Sequence, residues 1–171
     1  MSVTIRRATF HDLPAIVGLL SEIVPEMNAN GNFQWDSRYP NATVFQMDIE
    51  HQKLWVAVVG IDHIAGFAAI TTDQEPEYAE VGWDITEIAI VTHRLAVGLR
   101  WRGLGIARKF LELAEHEARR RNIDILRIDT NSINLTMQKL VLKLCYKYAG
   151  EIGLSFRPGL RFRCYQKKLK I

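Results

Sequence analysis

The chain is poor in cysteine, in long apolar runs and in charge of one sign. Its 171 residues contain two cysteines, Cys145 and Cys164, too few to staple a secreted scaffold. Reduced, buried thiols and a cytoplasmic protein are therefore expected. No apolar run approaches the roughly 18 residues a membrane span needs, and the opening MSVTIRRATF has no signal-peptide core. No membrane partner is expected. The net charge of +3 is mild for a nucleic-acid reader, so no nucleic-acid partner is expected either. The run Arg119-Arg120-Arg121 is read as the last turn of a helix, where cations oppose the dipole. His11, His51, His63 and His116 show no metal-ligand spacing, and no metal is assigned. Two phosphate loops are also missing. There is no Gly-x-x-x-x-Gly-Lys-Ser/Thr, and Gly103-Leu-Gly105 is followed by Arg108 where a dinucleotide fingerprint requires glycine.

What is present is the pattern of a single α/β (α+β) domain over residues 1–171, large enough for a real core. Residues 3–7 alternate as a strand. Thr9 and Asp12-Leu13-Pro14 start a helix, with Ile16, Leu19, Leu20 and Ile23 at helical spacing and Pro25 near its end. Residues 27–40 form a polar, aromatic loop. A short helix is expected over 41–51, capped by Asn41 or Thr43. Strands at 54–59 and 64–71 flank a hairpin signal. A second aromatic loop, 73–84, precedes a central strand at 87–97. The helix over 104–121 carries the seam Ala107, Phe110, Leu111, Ala114, Ala118. A strand at 123–129, a helix with the seam Met137, Leu140, Val141, Leu144, and strands at 149–154 and 160–168 complete the order β-α-α-β-β-β-α-β-α-β-β. Three successive strands in mid-chain exclude a doubly wound fold. One mixed, mostly antiparallel sheet flanked by helices is expected.

The turn after the central strand, LAVGLRWRGLGIARKF over 95–110, is the most distinctive stretch. Gly98, Gly103 and Gly105 let the backbone approach a ligand. The first amides of the following helix lack intrahelical partners and sit at the positive end of its dipole. Arg100 and Arg102 are expected to add charge. The turn is either a packing turn or an anion site suited to a diphosphate.

Arg102-Gly-Leu-Gly105-Ile-Ala107 resembles the Arg/Gln-x-x-Gly-x-Gly/Ala acyl-CoA signature of the GNAT superfamily of N-acyltransferases, and the order of elements resembles the GNAT fold over nearly the whole chain. The resemblance implies acetyl-CoA as co-substrate. It implies that the backbone around Leu95, Ala96 and Val97 pairs with the pantetheine arm, and that the amides of Arg102, Gly103, Leu104, Gly105, Ile106 and Ala107 hold the pyrophosphate. A family motif, Asn-x-x-Ala-x-x-Leu-Tyr-x-Lys-x-Gly-Phe, is matched by Asn134-x-x-Met137-x-x-Leu140-Val141-x-Lys143-x-Cys145-Tyr146. Asn134 is then expected to hydrogen-bond the pantetheine, with Met137 beside it. The family's general-acid tyrosine is Val141 here, which cannot donate a proton. Other stretches, His93-Arg94-Leu-Ala-Val97 and Arg161-Phe-Arg-Cys-Tyr165 among them, resemble an uncharacterised bacterial branch of the superfamily.

Acyl transfer to an amine needs a base, a polarised thioester carbonyl and close approach. His93, two residues before Leu95, is the first candidate base, since imidazole with an ordinary pKa of about 6.5 suits proton removal near neutrality. Glu87, on the same expected strand, is the alternative; a bulge would break the parity that puts the two on one face. Arg94 and Asp129 are read as a structural ion pair. Trp35, Tyr39, Tyr78 and Trp83 either line an acceptor pocket or pin the loops to the core. The leading expectation is an acetyl-CoA-dependent N-acetyltransferase whose partner is a small primary amine, an amino acid or a polyamine. A protein or peptide N-acetyltransferase and a non-catalytic acyl-CoA-binding or sensing domain are the alternatives. Related folds often pair, so a homodimer is an open expectation.

Overall fold

The computed structural model describes residues Met1–Ile171. Seven strands form one mixed sheet in the order β1-β2-β3-β4-β5-β7-β6, numbered along the chain: β1 Val3–Arg7, β2 Leu54–Val59, β3 His63–Thr71, β4 Ile90–Val97, β5 Ile125–Asn131, β6 Lys147–Leu154 and β7 Arg157–Lys168. Four α-helices accompany them: α1 Leu13–Ala29, α2 Ala42–Glu50, α3 Ile106–Arg120 and α4 Leu135–Lys143. The expected mixed, mostly antiparallel sheet is observed: β1 with β2, β2 with β3, β5 with β7 and β6 with β7 run antiparallel, and β4 with β5 runs parallel.

The chain divides into two units, Met1–Ile70 with His93–Glu112 and Thr71–Thr92 with Leu113–Ile171. In the first, the apolar stripe of α1 predicted from its spacing, Ile16, Leu19, Leu20 and Ile23, packs with Phe45 and Ile49 of α2, with Val56 and Phe67 of the sheet, and with Ala96. A second cluster joins Ala57, Val59, Ala65 and Ala68 to Ile106 and Phe110 of α3, with Leu95 and Val97 packed against it. The two clusters use alternate residues of β4, as the pleat of a strand requires. In the second unit, Tyr78, Trp83, Val91, Ile125, Ile152 and Phe162 form the core.

Several helix ends are set locally. Asn41 caps α2 by accepting the Val44 amide at 3.1 Å, as expected. Asp12 accepts from the Thr9 amide at 2.7 Å and from both Nη atoms of Arg6 at 2.7 and 2.8 Å. That cluster closes the 3₁₀ turn Phe10–Asp12 that leads into α1 and holds the Asp12 carboxyl below the usual carboxylate range, Arg6 being the main cause. α1 runs on to Ala29, past Pro25, where the sequence pointed to an earlier end. β4 begins at Ile90, so Glu87 lies outside the strand expected over 87–97. No helix is long and apolar enough to cross a membrane.

Candidate functional site

β4 ends at Val97, and one 3₁₀ turn, Leu99–Trp101, leads toward α3 at Ile106. Between them Gly103 and Gly105 have φ of +82° and +74°, a region that L side chains avoid. A Cβ at either position would meet nothing within 4 Å. Backbone geometry, not lack of room, asks for glycine here. The consequence is a run of unused donors: no peptide N–H of residues 103–108 has an acceptor within the protein, and the first bond to close is Lys109 N–H to Gly105 O at 3.0 Å. The amides of Ile106, Ala107 and Arg108 form the first turn of α3, at the positive end of its dipole. Residues 102–105 and Arg108 are exposed. Six consecutive free amides at a helix start fit a diphosphate in number and in sign.

The two arginines of the turn do not behave as expected. Arg102 donates from Nη1 and Nη2 to the two carboxylate oxygens of Glu26, at 2.9 and 3.0 Å. This pair lowers the Glu26 carboxyl and takes up the charge of Arg102, whose own amide, expected on the diphosphate, donates instead to Leu99 O at 3.5 Å. Arg100 lies over the Trp101 ring at 4.4 Å. Conversely, the sequence reading stopped the amide run at Ala107 and missed Arg108. The signal was available: the first three amides of any helix are unpaired, and a helix starting at Ile106 instead of Leu104 includes Arg108 among them.

β4 presents its backbone in a defined way. A Cβ on Gly66 would lie 2.7 Å from the Ala96 carbonyl oxygen, and the Gly98 amide donates to Ala65 O at 2.8 Å. Ala96 and Gly98 thus turn their polar groups toward β3. By alternation, the peptide groups of Leu95 and Val97 face the opposite edge. Before them the strand breaks its regular form. Arg94 has φ +50°, a left-handed non-glycine residue in mid-strand, and with Glu87 outside β4 the expected Glu87–His93 parity does not apply. The expected partner of Arg94 was Asp129. Its bidentate partner is Asp48 of α2, with Nε and Nη2 each donating at 2.8 Å, while Nη1 reaches the Tyr39 hydroxyl at 3.4 Å. Burial disfavours the Arg94 cation, and Asp48 outweighs it, so the group stands above its usual value. His93 is half-buried.

Glu87 is half-exposed and ion-paired to Arg127 Nη2 at 3.6 Å. Arg127, 2% exposed, also donates from Nη1 to Gln74 and to Asp84 O, donates from Nε to Gln166 at 2.9 Å, and lies over Trp83 at 4.9 Å. Glu87 therefore serves a buried cation, and protonating it would strip Arg127 of its carboxylate. That weighs against Glu87 as the base.

The aromatic residues mostly pack. Trp35 is buried and stacks with Phe67 at 6.1 Å. Tyr78 and Trp83 are buried edge-to-face at 5.2 Å, and the Tyr78 hydroxyl donates to Asp129 Oδ2 at 2.5 Å. Burial, then Asp129, pushes the Tyr78 phenol well up. These three are core residues, because their rings supply the apolar area that fixes polar loops. Tyr39 alone of the four is partly exposed.

Asn134 is the N-cap of α4, its Oδ1 accepting the Met137 amide at 3.2 Å. Its Nδ2 keeps two donors for a ligand. Val141 is fully buried, so a core hydrocarbon stands at the position of the motif's tyrosine. Cys145 lies beyond α4, exposed, at φ +68°: it takes the left-handed conformation for which the motif has glycine. The expectation of two buried thiols holds only for Cys164, whose thiol is pushed up to about 12, first by burial and then by Asp129. Of the predicted residues, His93, Leu95, Ala96, Val97 and 102–107 fall in the first unit with Trp35 and Tyr39. Glu87, Tyr78, Trp83, Asn134 and Met137 fall in the second. No group of three or more His, Cys, Asp or Glu side chains comes together to hold a metal ion.

The profile of the Acetyltransferase (GNAT) family matches residues 20–145. Comparison with curated proteins gives no match. Solved structures give many. A GNAT-family acetyltransferase from Streptococcus agalactiae is 28% identical, with 99% of this chain and 96% of that one covered and a TM-score of 0.81. YncA from Salmonella typhimurium, solved with its cofactor acetyl-CoA, is 19% identical over 99% and 95%, TM-score 0.72. A ribosomal-protein-alanine N-acetyltransferase from Brucella melitensis is 21% identical over 97% and 99%, TM-score 0.72. The last two likenesses are of fold.

Proposed function

Because the chain belongs to the Acetyltransferase (GNAT) family, it is an acetyl-CoA-dependent acetyltransferase, and we propose that it acts as a single domain that acetylates a primary amine by direct attack on the thioester. The observation that carries this reading is the run of free amides at residues 103–108. Acetyl-CoA supplies an activated acyl group; the chain supplies its placement. The amides of 103–108 hold the diphosphate. The peptide groups of Leu95 and Val97, on the edge of β4 turned away from β3, pair with the pantetheine arm, with Ala96 between them.

His93 takes the proton from the acceptor ammonium, directly or through water, the free amine forms the new C–N bond as the C–S bond breaks, and the extra proton on the new amide nitrogen goes to solvent. A backbone N–H of β4 polarises the carbonyl. No phenol stands at position 141 to protonate the departing thiolate, which takes its proton from water; a thiol with an ordinary pKa near about 8.5 leaves readily enough for this. Tyr39 borders the acceptor. The acceptor is a small amine, an amino acid or a polyamine, and the reading places the protein in the cytoplasm.

The test is thiol release from acetyl-CoA across a panel of these amines. Release that requires both an amine and His93 supports the reading. Tight acetyl-CoA binding with no release on the whole panel would replace it with a non-catalytic acyl-CoA sensor.

A further inference from the structure

One feature of the first unit lies outside the diphosphate turn. Arg94 occupies the left-handed region in the middle of β4, where any L residue is strained and glycine would not be. Its side chain is one half of an inter-element ion pair. Asp48, 7% exposed, projects from α2, and both carboxylate oxygens accept from Arg94 at 2.8 Å. The Tyr39 hydroxyl, from the loop before α2, stands at the remaining Nη1. A bidentate guanidinium–carboxylate pair fixes direction as well as distance. Here it fixes them at the residue whose backbone departs from the strand. Left-handed residues in strands re-aim neighbouring groups and gather beside active sites. The neighbours are His93 and Leu95, the candidate base and the first pantetheine partner.

We propose that Arg94 is a positioning residue for acetyl transfer: anchored by Asp48, it holds the left-handed break in β4, and the break sets the His93 ring and the peptide groups of His93 and Leu95 against the thioester. This rests on the acetyl-transfer reading above. It also ties α2 and the loop carrying Tyr39 to the strand that carries the chemistry.

A pair that is only structural is distinguishable from one that positions. Removing one partner strands a buried charge, whereas replacing both with apolar groups of similar size restores stability. Asp48→Asn is expected to lower Tm and to lower kcat at least tenfold, with the acetyl-CoA KM within threefold of native. Asp48→Leu combined with Arg94→Met is expected to regain the Tm but not the kcat, because methionine at φ +50° is as strained as arginine and nothing then holds it. A folded double variant with kcat within twofold of native would overturn the proposal. Should that variant not fold, Arg94→Lys decides. Lysine keeps the charge but not the fork, so a tenfold fall in kcat is expected, and native kcat overturns the proposal. Native protein that binds acetyl-CoA yet releases no thiol with any amine overturns the acetyl-transfer reading itself, a result separate from any difference among the variants.

Discussion

Replacing Gly105 with alanine tests the anion turn at its most specific point. Gly105 has φ +74° with open space around its Cβ position, so the methyl group meets no clash and the cost is backbone alone. That cost is about 1 kcal/mol in the left-handed region, which shifts Tm by about 2–4 °C in a domain of this size. Relaxing φ to a negative value avoids the cost but turns the adjoining amides away from their ligand. Binding then has to restore the left-handed φ, so acetyl-CoA affinity falls by at most that same energy, about fivefold at about 1.4 kcal/mol per tenfold. The assay is a melting curve with and without acetyl-CoA. At 100 times the native dissociation constant, native protein gains about 2.7 kcal/mol, or about 5–11 °C. The variant at the same concentration stands at about 20 times its own constant and gains about 1.8 kcal/mol, or about 4–7 °C. Arg102→Ala is the control. Its guanidinium is held by Glu26, so removing it leaves most of the ligand-induced shift. A Gly105→Ala protein that keeps both the native Tm and the full native shift would refute the assignment of these amides to the diphosphate.

Two further outcomes follow from the same structure. His93→Gln should lower kcat by roughly 10²–10⁴, the usual contribution of a general base, and leave the acetyl-CoA shift in Tm intact; Glu87→Gln, at the counter-ion of Arg127, should lower kcat far less, and steady-state thiol release compares them. Asp12→Ala should cost about 2 kcal/mol at neutral pH through the lost Arg6 and Thr9 bonds. Because folding lowers the Asp12 pKa, its contribution is complete above the unfolded carboxyl value and vanishes as pH falls through the folded one; urea unfolding should show native and variant converging in acid.

Local rules made much of this legible. The α3 seam, the Asn41 cap, the two glycines of the turn and the order of strands each follow from periodicity or from one residue's conformational freedom. The start of β4 did not, because the polar residues of 84–87 are ordered by Arg127, a contact of tertiary origin. Nor did Arg94: its partner lies 46 residues away on another element, and nothing in an arginine signals a positive φ, as nothing in Cys145 does. The aromatic loops show the limit most clearly. Trp35, Tyr78 and Trp83 carry the same composition whether they face a ligand or the core, and burial alone assigned them to the core.

The most direct test of the central claim follows the amide resonances of residues 103–108 while coenzyme A is added. The account predicts that these six amides move together and saturate with the dissociation constant of the ligand, as charge-assisted donors to one diphosphate. Coenzyme A that binds while these resonances stay still would contradict it.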